Sequence, residues 1–206
     1  LAAGVHIEHN ARVSRVIRST ASPSRIESVE YLQGGTRKTL TAARIIIAAF
    51  TVQSVRILLS SATAEHSAPG NHSDKLGRYL MTHPAATVFG LFEEETYPHQ
   101  GVSAGQLLSH DEYDDKAAAG GFGSSQWMIG HAIKPHDLLG YGTGRPDISG
   151  PELEPWLKRA ARHLGNMTLV CEDIALPENR ITLSDKVDSD GIPYAHTHHD
   201  LSLIHI

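Results

Sequence analysis

Residues Ala42 to Ser61 read AARIIIAAFTVQSVRILLSS. Ile45, Ile46 and Ile47, closed by Ala48 and Ala49, form a short β-branched apolar run, the composition of a strand buried on both faces of a parallel sheet. Ser54 then suits a helix N-cap, and Val55 to Leu59 a helical turn with Val55, Leu58 and Leu59 on one face. A strand that passes through a tight crossing into a helix is the unit by which α/β folds bring backbone N–H groups up to a ligand. An ordinary core βα unit without a ligand carries the same pattern, so the stretch has to be read with its neighbours.

Upstream, from Val5 to Leu40, the pattern is β. VHIEHNARVSRVI alternates loosely, IESVEYL alternates again at Ile26, Val29 and Tyr31, and Gly34-Gly35 marks a hairpin turn before RKTLTAARIII. This predicts a small antiparallel ribbon feeding the apolar run. Downstream, a polar loop from Ala62 leads to LGRYLMTHP and then to TVFGLF, which reads as a strand. Between Glu93 and Gly150 glycine-dense stretches, GGFGSS at 120–125 and GYGTG at 140–144, suit turns and short strands. PELEPWLKRAARHLG predicts a helix, with Leu153, Trp156, Leu157, Ala160 and Leu164 at helical spacing, Pro151 near its start and Gly165 past its end. NMTLVCEDIAL and NRITLS read as two further strands joined by a turn at Pro177 to Asn179.

The 206 residues, 40% hydrophobic and 20% charged, suffice to bury a core. A formal net charge of -5 supplies no basic field for phosphate backbones, which argues against a nucleic-acid partner. No apolar run approaches the roughly 20 residues needed to span a bilayer. Cys171 is the one cysteine, so neither an internal disulfide nor a multi-thiolate zinc site can form. Leu1 is not a start residue, and the chain is expected to be an internal piece of a longer one. The final LSLIHI, residues 201–206, is what the string CTGTCTCTTATACACATC encodes, which resembles the end of a transposase adaptor; these residues are expected to be adaptor-derived.

Several motifs invite a catalytic or metal reading and support it poorly. GYGTG resembles part of a dinucleotide fingerprint, but Arg145 and Pro146 follow where a helix should begin, which favours a turn. GFGSS lacks the order of a nucleophile elbow. DSDG at 188–191 has the form of a calcium loop, yet Lys186 stands where the first carboxylate ligand should be and Thr197 where the bidentate Glu should be, so a turn between strands is the better reading. His196 and His198 would share a strand face, with His199 beside them, but no carboxylate or thiolate accompanies them, and no metal site is expected. The acidic runs Glu93 to Glu95 and Asp111 to Asp115 read as solvated loops. Asn71-His72-Ser73 and Asn166-Met167-Thr168 are glycosylation sequons by form.

In order, the chain carries NARVSRVI, ESVEYL, ARIIIAAFTVQSVRILLSS, KLGRYLMTHP and LPENRITLSDKVDSDGIP. This succession resembles the glucose-methanol-choline (GMC) family of flavin oxidoreductases, from about Val5 to Pro193 and least between Phe92 and Pro155. The block around Asn179 is most similar to the branch of bacterial gluconate, fructose and related polyol or sugar dehydrogenases.

The resemblance implies an α/β (α+β) chain in which residues 1–82 are part of an FAD-binding, Rossmann-like domain and 83–200 part of an antiparallel-sheet substrate domain. It implies FAD as cofactor, with the backbone of Val13 against the adenine end and the small residues Ala48 and Ala49 passing close to the dinucleotide. Small side chains let a backbone come near a cofactor. It implies oxidation of the CH–OH group of a sugar, polyol or related alcohol by hydride transfer to the flavin, and an electron-acceptor partner. The histidine base of the family is expected beyond Ile206, so no catalytic residue is assigned in this chain. Phe50 departs from the pattern where relatives usually carry glycine, and Val55 replaces a frequent proline. The competing expectation is a non-catalytic α/β binding or structural module.

Overall fold

A computed structural model of the chain describes residues 4–101, 107–111, 113 and 123–200. Tail residues 201–206, and residues 102–106, 112 and 114–122 of the loop-rich segment expected between Glu93 and Gly150, lie outside this range. The chain forms two compact units, one holding residues 4–81 and 175–200 and the other 82–174. Every strand pairing among the described residues is antiparallel, and the fold is mixed α+β with sheet predominating.

In the first unit, β1 (Arg12–Arg18), β2 (Ile26–Gln33) and β3 (Thr36–Thr41) form a sheet in chain order. The expected hairpin turn is present: Gly34 and Gly35 both have positive φ, at 59° and 75°, as a two-residue hairpin turn requires. Residues 5–10, expected to begin the ribbon, lie outside the strands, and β1 starts at Arg12. On the central strand the buried positions are Ser28, Glu30 and Leu32, whereas Val29 and Tyr31 are half-buried. Glu30 survives burial because it is surrounded by donors. It accepts from Ser14 Oγ at 2.8 Å, Arg15 at 2.9 Å and Arg37 at 2.7 Å.

Helix α1 (Thr51–Leu59) follows, and a pair of strands near the end of the chain, between residues 180 and 198, closes the unit. Ile45–Ala49, expected to be a buried strand, forms no ladder, and Ile46 is 89% exposed. The physical reason is the lack of a neighbour. Among the described residues no strand lies alongside this run to pair its backbone or cover its side chains. Nor is Ser54 the N-cap: the helix begins four residues earlier, with Phe50 in the capping position and Ser54 N–H donating to Phe50 O at 2.8 Å.

The second unit contains β4 (Ala85–Leu91), β5 (Leu107–Ser109), β6 (Ser125–Ile129), α2 (Pro135–Thr143), a single 3-10 turn at Gly150–Glu152, α3 (Leu153–His163) and β7 (Leu164–Cys171). Its sheet has the order β4-β7-β6-β5. The expected helix and strands are found here, with two differences. GYGTG is not a turn but the second half of α2, capped by Gly144. Helix α3 does not end at a glycine; Leu164 switches to extended backbone and the chain passes straight into β7 with Gly165 inside the strand. Ile133, Leu138, Ala160 and Leu164 form the core, with Leu91, Trp156 and Leu157 packed against it.

β8 (Arg180–Val187) and β9 (Pro193–His198) form an antiparallel pair. Grouped by the sequence with the second block, residues 175–200 belong instead to the first unit, because β8 and β9 lie against α1. Asn179, fully buried, brackets the backbone of Asp200, donating to its O at 3.2 Å and accepting from its N at 2.8 Å.

Candidate cofactor site

Three segments of the first unit converge where α1 begins: the start of β1, the first turns of α1 and the turn between β8 and β9. They enclose a recess of about 290 Å³ whose walls include Arg12, Val13, Ala49, Gln53, Arg56 and Ile192. Val13 and Ala49, named above as cofactor-contacting residues, therefore share one cavity although 36 positions separate them. Ala48, named with them, is exposed and is not part of this wall.

Local structure explains the exposure of Val13. β1 is an edge strand, and its register against β2 shifts between Val13 and Arg15, a bulge centred on Ser14. A bulge re-aims side chains. Ser14 turns inward to Glu30, while Val13 remains 39% exposed. The far end of α1 is tied to the same strand by Ser61, whose hydroxyl accepts from Val16 N–H at 2.9 Å and donates to Ile57 O at 2.6 Å.

The third wall is held by charge. Asp188 accepts from Arg56 Nη2 at 2.7 Å and from Arg12, and its other oxygen accepts from the backbone N–H of Asp190 at 2.9 Å and of Ile192 at 3.1 Å. Arg56 also donates to Pro193 O at 2.5 Å and Ile192 O at 3.1 Å, and Arg12 to Asp190 at 2.6 Å. DSDG is thus a turn, as expected, with its first carboxylate saturated by donors. Burial by itself would raise the Asp188 carboxyl; the donors from Arg56, Ile192, Arg12 and Asp190 outweigh it and hold the group well below the usual carboxylate range. Arg12 is shifted up in turn, chiefly by its hydrogen bond to Asp188.

Phe50 stands at the mouth of α1 with φ 63° and ψ 158°. This region of backbone space is open to glycine and closed to residues with a Cβ except under strain. The ring is 77% exposed and fills no core position. Next to it, Ala49 N–H donates to Ser54 Oγ at 3.3 Å, so the hydroxyl expected to cap the helix reaches back to the recess wall.

Asp188, with its carboxyl held well below the usual range, is ionised at neutral pH, and both of its oxygens are engaged. Ser14 also lines the recess, its hydroxyl engaged by Glu30. Among the described residues no cluster of His, Cys, Asp and Glu is placed to hold a metal ion, and His196 and His198 are exposed along β9. No helix of the described residues is long and apolar enough to cross a membrane.

Arg12, Gln53, Arg56 and Asp188 were not singled out from the sequence. Arg12 adjoins a named residue, and Asp188 lies in a motif read as a turn; only the pairing of Arg56 with Asp188, 132 positions away, gives them a role. Comparison of the chain with protein-family models and with curated proteins finds no match.

Proposed function

We infer that the chain is part of an FAD-dependent oxidoreductase of the GMC type, acting on the CH–OH group of a sugar, polyol or related alcohol. The observation that carries this inference is the meeting of Val13 and Ala49 in one recess at the N-terminal end of α1. The residues fit part of the cofactor. A volume of about 290 Å³ suits a single ring system rather than the whole of FAD, and the small Ala49 side chain and edge-strand backbone at Val13 allow the close approach that an adenine requires. Arg12, Gln53 and Arg56 add N–H donors to the wall.

When bound, the flavin would supply the hydride-accepting chemistry, with the protein contributing position and exclusion of water. In this reading Val13, Ala48 and Ala49 lie along the cofactor, and the Arg12–Asp188–Arg56 clamp fixes the distance between the walls. In this reading the first unit, residues 4–81 with 175–200, contributes to the Rossmann-like FAD-binding domain and the second, 82–174, to the substrate domain, whose antiparallel sheet backed by helices accords with that role. An electron-acceptor subunit or molecule would reoxidise the flavin.

The test is to recover the flanking reading frame, purify the product and measure flavin absorbance per polypeptide. Anaerobic addition of gluconate, fructose or a polyol should bleach the absorbance. Ala49→Phe should lower flavin occupancy at least tenfold, by filling the recess. A colourless protein inert to these donors would favour the non-catalytic module instead.

A further inference from the structure

The second unit contains a larger cavity, about 450 Å³, which the flavin reading does not use. Its volume falls within the range of small-molecule sites. Three aromatic side chains shape it. Phe89 on β4 and Tyr141 on α2 have ring centroids 4.6 Å apart and remain 40% and 42% exposed, and Trp156 of α3 lines the same space. Arg145 brings the one charge, its guanidinium 5.9 Å from the Trp156 ring centroid. Arg145 engages Asp147 through Nε and Nη2, which leaves Nη1 without a partner among the described residues. Both members of that pair are solvent-exposed, so the pair is weak and a competing carboxylate can share or displace it.

Gly140 supplies an independent observation. It lies inside α2, where glycine is the poorest helix former after proline. Packing does not require it, since a Cβ at this position would meet nothing within 4 Å. By contrast, a Cβ at Gly142 in the same helix would press on Trp156, Leu153 and Leu157. Gly140 lines the cavity, and a side chain there would start in open space beside it.

We propose that this cavity is a binding site for a small aromatic carboxylate. A flat ring suits the aromatic surface that Phe89, Tyr141 and Trp156 give the cavity, and the planar guanidinium of Arg145 is matched to a carboxylate. Gly140 keeps the entrance open at the cost of helix propensity.

The test is calorimetric titration of the full chain with 2-naphthoate, and with 2-naphthylmethanol as the uncharged counterpart. One saturable site for 2-naphthoate is expected, and weaker binding of the alcohol. Gly140→Leu should weaken 2-naphthoate at least tenfold while leaving the melting temperature unchanged or raised, because it removes a helix-interior glycine. Arg145→Met, a change on an exposed loop, should weaken 2-naphthoate at least tenfold and leave the alcohol unaffected, and it decides the matter should Gly140→Leu fail to fold. The proposal is overturned by absence of saturable binding at millimolar 2-naphthoate, by wild-type affinity in either variant, or by an alcohol that binds as tightly as the acid. Flavin content enters none of these readouts, so failure here leaves the oxidoreductase reading standing.

Discussion

Phe50→Gly is expected to stabilise the protein, against the ordinary direction for loss of an aromatic side chain. The backbone at φ 63°, ψ 158° is one that a residue with a Cβ adopts only under strain, which costs about 1–3 kcal/mol. Glycine removes that strain. Two losses oppose the gain. With the ring 77% exposed, only about a quarter of a full phenylalanine burial is at stake, roughly 0.3–0.7 kcal/mol. The extra freedom of glycine in the unfolded chain costs roughly 0.5–1 kcal/mol. Taking the middle of each range, Phe50→Gly should raise stability by about 0.75 kcal/mol. Were the ring packed in a core, the same change would cost about 3–5 kcal/mol, so the two accounts differ in sign. The assay is equilibrium urea unfolding with Phe50→Ala as the control, since alanine removes the ring but keeps the Cβ. Phe50→Ala should be no more stable than the wild type, and the gap between the two variants isolates the backbone term. Equal midpoints for the glycine and alanine variants at unchanged m would refute the reasoning, because they would mean that the turn holds no conformation special to glycine.

Arg56→Ala should cost about 3–5 kcal/mol in the same assay, the scale of breaking a buried ion pair, because the Arg56 and Asp188 side chains are each 8% exposed. Arg12→Ala removes the partly exposed member of the same clamp and should cost under about 1 kcal/mol; a loss as large as that of Arg56→Ala would show that burial does not rank the two. Asp188 and Glu30 both have carboxyl pKa values held below the unfolded value of about 4, so the unfolded chain takes up protons first on acidification. Their stabilisation is therefore full above about pH 4 and is lost as pH falls through the folded values; urea midpoints should be level from pH 7 to pH 5 and drop below about pH 4, less steeply in Asp188→Asn. Gly77→Ala should destabilise by more than about 2 kcal/mol, since φ is +81° and the new methyl would be driven onto the carbonyl of Ile181; a neutral effect on thermal unfolding would count against that close approach.

The parts of the fold that were legible in the sequence are those decided by nearby residues. Gly34-Gly35 fixes its hairpin locally, and α3 carries its apolar stripe within eleven residues. Ile45–Ala49 departs from the expected strand for the opposite reason. An apolar run signals burial only if something covers it, and composition does not say what pairs with a strand. The same holds for β2, where alternation pointed to Val29 and Tyr31 and the structure buries Glu30. A carboxylate becomes a core residue only through Arg15, Arg37 and Ser14, which reach it from two other strands and cannot be seen in IESVEYL. Helix starts were displaced as well: Ser54 has the chemistry of a cap, but the polar group it satisfies belongs to Ala49.

The recess beside Val13 and Ala49 owes its shape to charge more than to apolar packing. Helix α1 buries fully only Arg56 and Ile57, too little apolar surface to fix its position against the β8–β9 turn. Apolar contact is also non-directional, whereas hydrogen bonds constrain both distance and angle. The donors on Asp188 and the two carbonyls taken by Arg56 therefore set how far the helix stands from Ile192, and with it the width of the cavity. The Asp188 carboxyl, held well below the usual carboxylate range, keeps its charge between about pH 7 and pH 5, so the clamp does not change with pH across that range. A ligand held there meets a rigid wall and not a switch. Its occupancy should fall with acid only where the fold itself does, and a loss of flavin at pH 6 with unaltered stability would place its binding determinants elsewhere.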